Sequence, residues 1–292
     1  MRFMAFAQHG RRGLAVASAD KSYKGLFEDE AGYPGPLERI IAQGGVASAA
    51  RALANGVDID PDAVDCLPPL VPGKIICVGL NYLDHAAENA MKVPDFPTLF
   101  ARFHSGLVGH GAALVRPPES DKFDYEGELV AVIGKGGRRI DKANALDHVA
   151  GYSIFNDGSI RDFQLRTPQW TMGKNFDGTG PFGPVFVTAD ELPPGAKGLH
   201  IETRLNGEIV QSASTDDLIF DVASLVSLIS IGITLAPGDI IVTGTPSGVG
   251  AARKPPLFMK AGDVCEVEIE KIGTLRNPVE DDVGSAQASA AE

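Results

Sequence analysis

The sequence predicts a β-rich α+β protein. From residue 74 onward, stretches of strand length and composition outnumber helical ones, and the two kinds do not alternate regularly. This order argues against a doubly wound sheet. Asn206-Gly207 is a strong hairpin signal because both residues tolerate positive φ. Residues 264–269 mostly alternate apolar and acidic side chains, which is typical of a half-buried strand.

The chain divides at a proline-rich connector, residues 68–73, which cannot continue a helix. We expect a small N-terminal α+β domain over 1–70, a catalytic domain over 74–281, and a disordered tail over 282–292. Predicted strands span 1–7, 13–19, 75–78, 99–103, 113–116, 125–133, 152–156, 185–187, 200–205, 208–212, 240–243 and 264–269. Predicted helices span 36–43, 46–55, 83–91, 142–148, 160–165 and 222–231.

Charge and composition exclude some partners. The formal net charge of −12 repels nucleic acid and anionic lipid, and no apolar run approaches the length of a membrane span. We therefore expect neither nucleic acid nor membrane as a partner. Cys66, Cys77 and Cys265 have no ligand spacing and are interpreted as reduced, which favours a cytoplasmic location.

Two glutamates stand at alternate positions near the start of a predicted strand. Because residues two apart in a strand point to the same face, Glu126 and Glu128 should project side by side. Adjacent carboxylates repel each other unless a cation lies between them. We interpret the pair either as ligands of a divalent cation or as two solvated glutamates on an outer face.

Three further charged residues follow. Asp157 lies where a predicted strand turns into a helix, so its carboxylate can face a ligand. Arg161 comes one helical turn later, and its alternative role is an ion pair with Asp157 or Asp162. Lys174 stands among Gly, Met and Phe residues and should be more desolvated than a surface lysine. Its alternative is an ordinary loop lysine.

A short predicted helix carries His85 and Glu88, three residues apart and so on one face. A carboxylate beside an imidazole fixes the tautomer of the ring and raises its basicity, which makes the pair a candidate general base. The alternative is an ion pair on the helix surface. Tyr82, on the same stretch, is predicted to bind substrate.

The stretch from Thr243 to Gly250 matches T-G-x-x-x-G-x-G, a pattern of nicotinamide-dependent short-chain dehydrogenases. We disfavour that function because the pattern should open the first βαβ unit, whereas here it stands near the end of the chain. We prefer a tight loop that presents Thr245 and backbone N–H groups to an anion.

Together these stretches resemble the fumarylacetoacetate hydrolase family, in its acylpyruvase-like branch. The matching stretches are 79–88, 125–129, 156–164, 173–176, 206–207 and 238–250. The resemblance implies a mixed β-roll for the main domain, a homodimer, and Mg²⁺ or Mn²⁺ in the site. The implied site consists of the metal ligands Glu126, Glu128 and Asp157, with Lys174 and Arg161 beside them and His85 and Glu88 on a lid that orders when substrate binds.

The predicted function is hydrolytic C–C cleavage of an acylpyruvate-like 2,4-dioxo acid. His85, backed by Glu88, would take a proton from water, and the hydroxide would attack C4 and release pyruvate enolate. The metal and Lys174 would stabilise that enolate. Gln164 is expected to orient the oxyanion and Thr245 to hold a carboxylate or the far end of the substrate. Decarboxylation of an oxaloacetate-like acid, and isomerisation or hydration of an unsaturated 2-oxo acid, use the same enolate and stay open. A non-catalytic metal-binding protein is a further alternative.

Overall fold

The computed structural model describes residues 1–18, 22–82 and 95–283, and strands form most of its regular structure. The strands are β1 (Arg2–Gln8), β2 (Arg11–Ala17), β3 (Tyr23–Phe27), β4 (Val57–Ile59), β5 (Asp65–Cys66), β6 (Ile75–Gly79), β7 (Thr98–Arg102), β8 (Leu107–Val108), β9 (Leu114–Arg116), β10 (Phe123–Asp124), β11 (Gly127–Ile133), β12 (Val149–Asn156), β13 (Ser159–Ile160), β14 (Gly180–Thr188), β15 (His200–Leu205), β16 (Glu208–Ser214), β17 (Ile240–Val242), β18 (Val264–Ile269) and β19 (Gly273–Asp281). The α-helices are α1 (Leu37–Ala42), α2 (Val46–Leu53), α3 (Arg161–Gln164), α4 (Thr171–Lys174) and α5 (Val222–Gly232). Short 3₁₀ helices span Pro61–Ala63, His104–Gly106, Lys142–His148, Ala189–Glu191, Pro194–Ala196, Thr215–Asp217 and Gly250–Ala252.

A twelve-stranded mixed sheet forms the centre of the described structure. Its order is β4-β3-β2-β1-β14-β12-β11-β17-β6-β7, with β5 added to β1 and β8 to β14. β17 runs parallel to β6, whereas β11 is antiparallel to both β12 and β17. β11 is buried along its whole length. A strand covered on both faces needs a nearly continuous apolar run, and GELVAVI provides one after its second residue.

The side chains of β11 alternate between two hydrophobic cores. Leu129 and Ala131 face the core that also receives α5 and a second, five-stranded sheet of order β16-β15-β18-β19-β9. Val130 and Val132 face the core that receives α1 and α2. Packing from both sides fixes the position of β11, and with it the start of the strand at Gly127.

The predicted β-rich α+β class is confirmed, and several elements match closely. Asn206 (φ 54°) and Gly207 (φ 83°) form the predicted turn between β15 and β16. The strand predicted from residue 125 begins instead at Gly127, and residues 142–148 form a 3₁₀ helix. The nine-residue strand β19 had not been predicted. Residues 83–91, predicted as a helix, and the predicted tail from residue 284 onward lie outside the described residues.

The N-terminal strands extend the central sheet. β1 pairs with β14 at Phe3 and Phe186, whose rings lie 6.2 Å apart. The division of the chain into domains at residue 70 stays a prediction. Within the described ranges, no helix combines the length and the apolar character that crossing a membrane requires.

Candidate metal centre

Three carboxylates meet at one end of the central sheet, where β11 and β12 pair. The N–H of Asp157 donates a hydrogen bond to the carbonyl of Glu126 at 2.8 Å, so both segments belong to one ladder. Gly127 separates Glu126 from Glu128, and a Cβ there would lie 2.2 Å from Thr203 Oγ1 and 2.9 Å from Val267 Cγ1, so a larger residue would displace these buried side chains. Close packing of the second sheet therefore fixes the backbone between the two glutamates.

The three carboxylates offer a compact set of oxygen donors. One oxygen from each of Glu126, Glu128 and Asp157 lies within 4.8 Å of the others, and all three side chains are buried. Burial, together with Asp157 and Glu126, raises the pKa of Glu128 well above its ordinary value. Oxygen donors in this arrangement fit a hard divalent cation such as Mg²⁺ or Mn²⁺.

Lys174 lies between two of these carboxylates. Its Nζ is 2.7 Å from Glu126 Oε2 and 2.6 Å from Asp157 Oδ2, and the residue is only 1% exposed. Burial alone would lower the pKa of Lys174, but attraction by Asp157 and Glu126 outweighs it and raises the pKa. These contacts therefore favour the ammonium form of Lys174, which ends a short helix rather than standing in an exposed loop.

Two short helices bring this lysine to the site. A Cβ on Gly173 would lie 2.2 Å from the backbone nitrogen of Gln164, so α4 approaches α3 as closely as glycine allows. This approach places Lys174 beside Arg161. Arg161 Nη2 lies 2.6 Å from Glu126 Oε1, and Nε donates to Asp124 at 2.8 Å. Arg161 thus pairs with Glu126 and Asp124, not with Asp157 or Asp162.

Sequence reasoning had missed Arg102. Its guanidinium donates to Asp157 Oδ1 at 2.5 Å, to the carbonyl of Gly158 at 3.0 Å and to Thr179 Oγ1 at 2.8 Å. The residue is 3% exposed. The sequence does contain one indication of this role, an arginine at the end of the mostly apolar strand β7. A charged side chain in such a strand must find a partner inside the fold.

Sequence reasoning had also missed Asp124, which is fully buried. It is the first of three acids at alternate positions, 124, 126 and 128. With Asp124 and Arg102 included, four carboxylates face three cations in this cluster of described residues. With all four carboxylates ionised, one negative charge is left over, which a bound cation would balance.

We expect Arg102→Met to destabilise the protein and to weaken metal binding. Removing one member of a buried ion pair leaves the other uncompensated, at a cost of about 3–5 kcal/mol. Loss of a group that orients a metal ligand typically weakens metal affinity by about 10–100-fold. Urea unfolding and Mn²⁺ titration measure the two effects.

Arg116→Met is the matched control for this substitution. Arg116 pairs with the exposed Asp121 and the half-exposed Asp281, and surface pairs of this kind contribute no more than about 1 kcal/mol. Equal losses of stability in the two variants would contradict a special role for Arg102.

A cavity of about 310 Å³ opens over the carboxylates of Glu126 and Glu128. The polar residues lining it are Glu126, Glu128, Arg161, Gln164, Lys174 and Thr245. Phe100 and Trp170 form an apolar side, with ring centroids 5.3 Å apart. The Lys174 ammonium lies 5.1 Å from the centroid of Phe100. The cavity thus combines fixed charges with an apolar wall and has room for a small organic acid.

The backbone N–H groups of the Gly-rich loop bind the protein's own carboxylates. Gly244 donates to Glu128 Oε2 at 2.5 Å. Gly250 and Ala251 donate to Asp124 at 2.7 and 2.9 Å. The sequence predicts that N–H groups of this loop bind an external anion. These three N–H groups instead bind the carboxylates of Glu128 and Asp124.

The predicted substrate-binding residues differ in their surroundings. Gln164 lines the cavity and accepts a hydrogen bond from Arg161. Thr245 also lines the cavity, but its hydroxyl donates to the carbonyl of Gly127 and accepts from Gln211. Tyr82 is 1% exposed and does not line the cavity, and burial raises the pKa of its hydroxyl. That hydroxyl has no hydrogen-bond partner among the described residues.

His85 and Glu88 lie outside the described residues. The structure therefore brings together the predicted metal ligands with Lys174, Arg161, Gln164 and Thr245, and it describes no contact of the predicted base. The described segment nearest to the pair in sequence ends at Tyr82.

Comparison with known proteins agrees with this geometry. Residues 74–280 match the family model for the fumarylacetoacetate (FAA) hydrolase C-terminal region. The chain is 42% identical over 252 residues to the human protein named oxaloacetate tautomerase FAHD2A, mitochondrial, covering 84% of this chain and 80% of that protein.

Solved structures extend the similarity over nearly the whole chain. A fumarylacetoacetate hydrolase from psychrophilic Exiguobacterium antarcticum superposes with a TM-score of 0.81 at 39% identity, covering 97% of this chain and 100% of the other. Maleylpyruvate hydrolase from Sphingobium sp. SYK-6, solved with manganese(II) and pyruvate, gives a TM-score of 0.77 at 27% identity, covering 96% and 99%. With the matched family model and the buried acidic cluster, these findings show that the chain belongs to the fumarylacetoacetate hydrolase family.

Proposed function

We propose that this chain interconverts the keto and enol forms of oxaloacetate, or of a closely similar 2-oxo dicarboxylic acid, with Mg²⁺ or Mn²⁺. The observation that carries the proposal is the cluster of Glu126, Glu128 and Asp157, with one oxygen of each within 4.8 Å of the others, beside a cavity that Lys174 and Arg161 also line. The human relative named as an oxaloacetate tautomerase supports this choice of substrate.

The cavity residues suit an anionic substrate. When bound, the cation supplies Lewis-acid stabilisation of negative charge on the C2 oxygen of a 2-oxo acid. Lys174 has three N–H donors, and among the described residues Glu126 and Asp157 accept from two of them, so the third can approach the same oxygen. The guanidinium of Arg161 supplies a second fixed positive charge, which can pair with a carboxylate of the substrate. Because these charges are held in place before substrate arrives, they need no reorganisation during the reaction.

The reaction itself is a proton transfer. A proton leaves C3, the electron pair of that C–H bond forms the C2–C3 double bond, and a proton is added to the C2 oxygen. Among the described residues that line the cavity, Lys174 and Arg161 are cations, and Glu126 and Glu128 belong to the acidic cluster. We therefore assign the proton transfer to His85, with Glu88 orienting its ring, from their spacing in the sequence.

Hydrolysis of an acylpyruvate is the second candidate. The Sphingobium relative, named as a maleylpyruvate hydrolase and solved with pyruvate, supports it. In this reaction His85 would take a proton from water, and hydroxide would add to C4. The C3–C4 bond would then break and leave its electron pair on the pyruvate enolate. Both candidates need the same charges around C2 and differ in whether water reacts.

A comparison of substrates tests the proposal. Metal-stripped protein would be assayed with Mg²⁺, with Mn²⁺ and with chelator, following enol absorbance of oxaloacetate and cleavage of acetylpyruvate. Metal-dependent ketonisation of oxaloacetate that exceeds acetylpyruvate cleavage supports tautomerisation. Faster cleavage of acetylpyruvate favours the hydrolase. No metal-dependent turnover of either substrate would contradict both functions.

We expect His85→Ala to slow the proton transfer. Loss of a general acid–base group typically costs about 10²–10⁴-fold. Metal-dependent decarboxylation of oxaloacetate should persist better, since breaking its C3–C4 bond needs no proton removed from C3. The exposed His104 gives the control His104→Ala. Tautomerisation at the wild-type rate in His85→Ala would assign the proton transfer to another group.

A further inference from the structure

We propose that Asp124 is a positioning residue of this site, which orients Arg161 and, through Arg161, the carboxylate of Glu126. Asp124 does not line the cavity. It is fully buried in the short pairing of β10 with β13, opposite Ser159. The inference rests on the proposed function for the identity of the reaction. The contacts of Asp124 that support the inference do not depend on the substrate.

Each of the three guanidinium nitrogens of Arg161 lies close to an oxygen of another side chain, two of them in hydrogen bonds and one in an ion pair. Nε donates to Asp124 Oδ2 at 2.8 Å, and Nη1 donates to Gln164 Oε1 at 2.9 Å. Nη2 forms the 2.6 Å ion pair with Glu126 Oε1. A guanidinium is planar and rigid, so an acceptor fixed at Nε sets the directions of both Nη groups. Asp124 therefore determines where Arg161 meets Glu126.

The same carboxylate also binds a second segment of the cavity lining. Asp124 accepts the N–H groups of Gly250 and Ala251, and both Ala251 and Arg161 line the cavity. A Cβ on Gly250 would lie 2.6 Å from Asp124 Oδ1 and 1.8 Å from the carbonyl oxygen of Leu257. The loop thus approaches Asp124 as closely as glycine permits, and one anion connects two segments of the cavity lining.

A double-mutant cycle separates positioning from a purely structural role. The variants are Asp124→Asn, Arg161→Met and the double substitution, each measured by Mn²⁺ affinity and by kcat/KM. We expect Asp124→Asn alone to lower Mn²⁺ affinity or kcat/KM by about 10–100-fold, as for other groups that orient metal ligands. If Asp124 acts mainly through Arg161, the same substitution should lower both quantities less in the Arg161→Met background than in the wild type, and the remaining loss reflects its bonds to Gly250 and Ala251.

Asp162→Asn is the matched control. Asp162 is the neighbour of Arg161 in sequence, is half-buried, and accepts a hydrogen bond from Ser120. The substitution removes the same charge without touching the guanidinium, and we expect Mn²⁺ affinity and kcat/KM to stay at wild-type values. A loss in Asp124→Asn that is no greater than in Asp162→Asn would overturn the proposal.

Arg161→Lys keeps the proposal testable if Asp124→Asn does not fold. Lysine retains the positive charge and leaves the hydrogen bonds from the N–H groups of Gly250 and Ala251 to Asp124 in place. A single ammonium group cannot reproduce the fixed, planar arrangement of N–H donors in a guanidinium. We expect losses close to those of Arg161→Met. Wild-type Mn²⁺ affinity and turnover in Arg161→Lys would overturn the proposal, as would additive losses in the cycle.

The two proposals fail in different ways. Absence of oxaloacetate turnover in the wild-type protein contradicts the proposed function, while the Mn²⁺ affinities of the cycle still decide the role of Asp124. Turnover in the wild type with unchanged Mn²⁺ affinity and kcat/KM in Asp124→Asn contradicts the positioning role alone.

Discussion

Replacing Glu128 with glutamine should abolish metal-dependent turnover and, in chelator, raise the melting temperature. Glu128 is 1% exposed and shares its site with Glu126 and Asp157, so its charge is repelled when no cation is bound. Glutamine keeps an oxygen for the N–H of Gly244 and places an amide donor beside the remaining carboxylates. The folded state therefore loses repulsion while the site loses a charged ligand.

The loss of metal affinity should be larger than the roughly 100-fold that removal of an orienting group causes. Thermal unfolding with chelator and with excess Mn²⁺ gives the first measurement, and Mn²⁺ titration gives the second. Glu119→Gln, at an exposed position, is the control for removal of one negative charge. Wild-type Mn²⁺ affinity in Glu128→Gln would exclude Glu128 as a ligand.

Lys174→Met should have the opposite effect on stability and an equally severe effect on turnover. Methionine has a similar length but no charge, so Glu126 and Asp157 lose the cation that lies within 2.7 Å of both. In chelator we expect a loss of about 3–5 kcal/mol in the free energy of unfolding. A bound dication compensates the same carboxylates, so Mn²⁺ should narrow the difference from wild type.

Turnover of Lys174→Met should stay low even at saturating Mn²⁺. Removal of one group that stabilises developing charge on oxygen typically costs about 10²–10³-fold in kcat. Lys135→Met removes a charge at an exposed position and serves as the control. A wild-type kcat in Lys174→Met, with metal bound, would show that the ammonium takes no part in the reaction.

The elements that sequence predicts well are those whose pattern is local. β15 and β18 match their predicted bounds, because alternation and turn residues are visible within a few positions. β19 contains Asn277 and Pro278, which argue against a strand when read alone. It pairs on one side with β18, the strand just before it, and on the other side with β9, which lies far earlier in the sequence. Tertiary pairing there overrides local preference.

In the candidate site too, residues could be predicted from sequence when the pattern was local and could not be when their partners lay far away in the chain. Glu126 and Glu128 could be singled out because their spacing is local. Arg102 could not be assigned to Asp157, since 55 residues separate them and nothing near Arg102 indicates its partner. Burial and charge pairing are properties of the assembled cluster, so they become visible only when both segments are in place.

The pairing of β1 with β14 has a consequence for any attempt to shorten the chain. Residues 74–280 carry the family match, yet β14 has its neighbour β1 outside that span. Excision of residues 1–70 would leave the β1-facing edge of β14 without its neighbour and would uncover the ring of Phe186, which packs against Phe3. Open strand edges beside apolar surface pair readily with other chains. The shortened protein should therefore aggregate on expression, even though every charged residue discussed for the metal site would still be present.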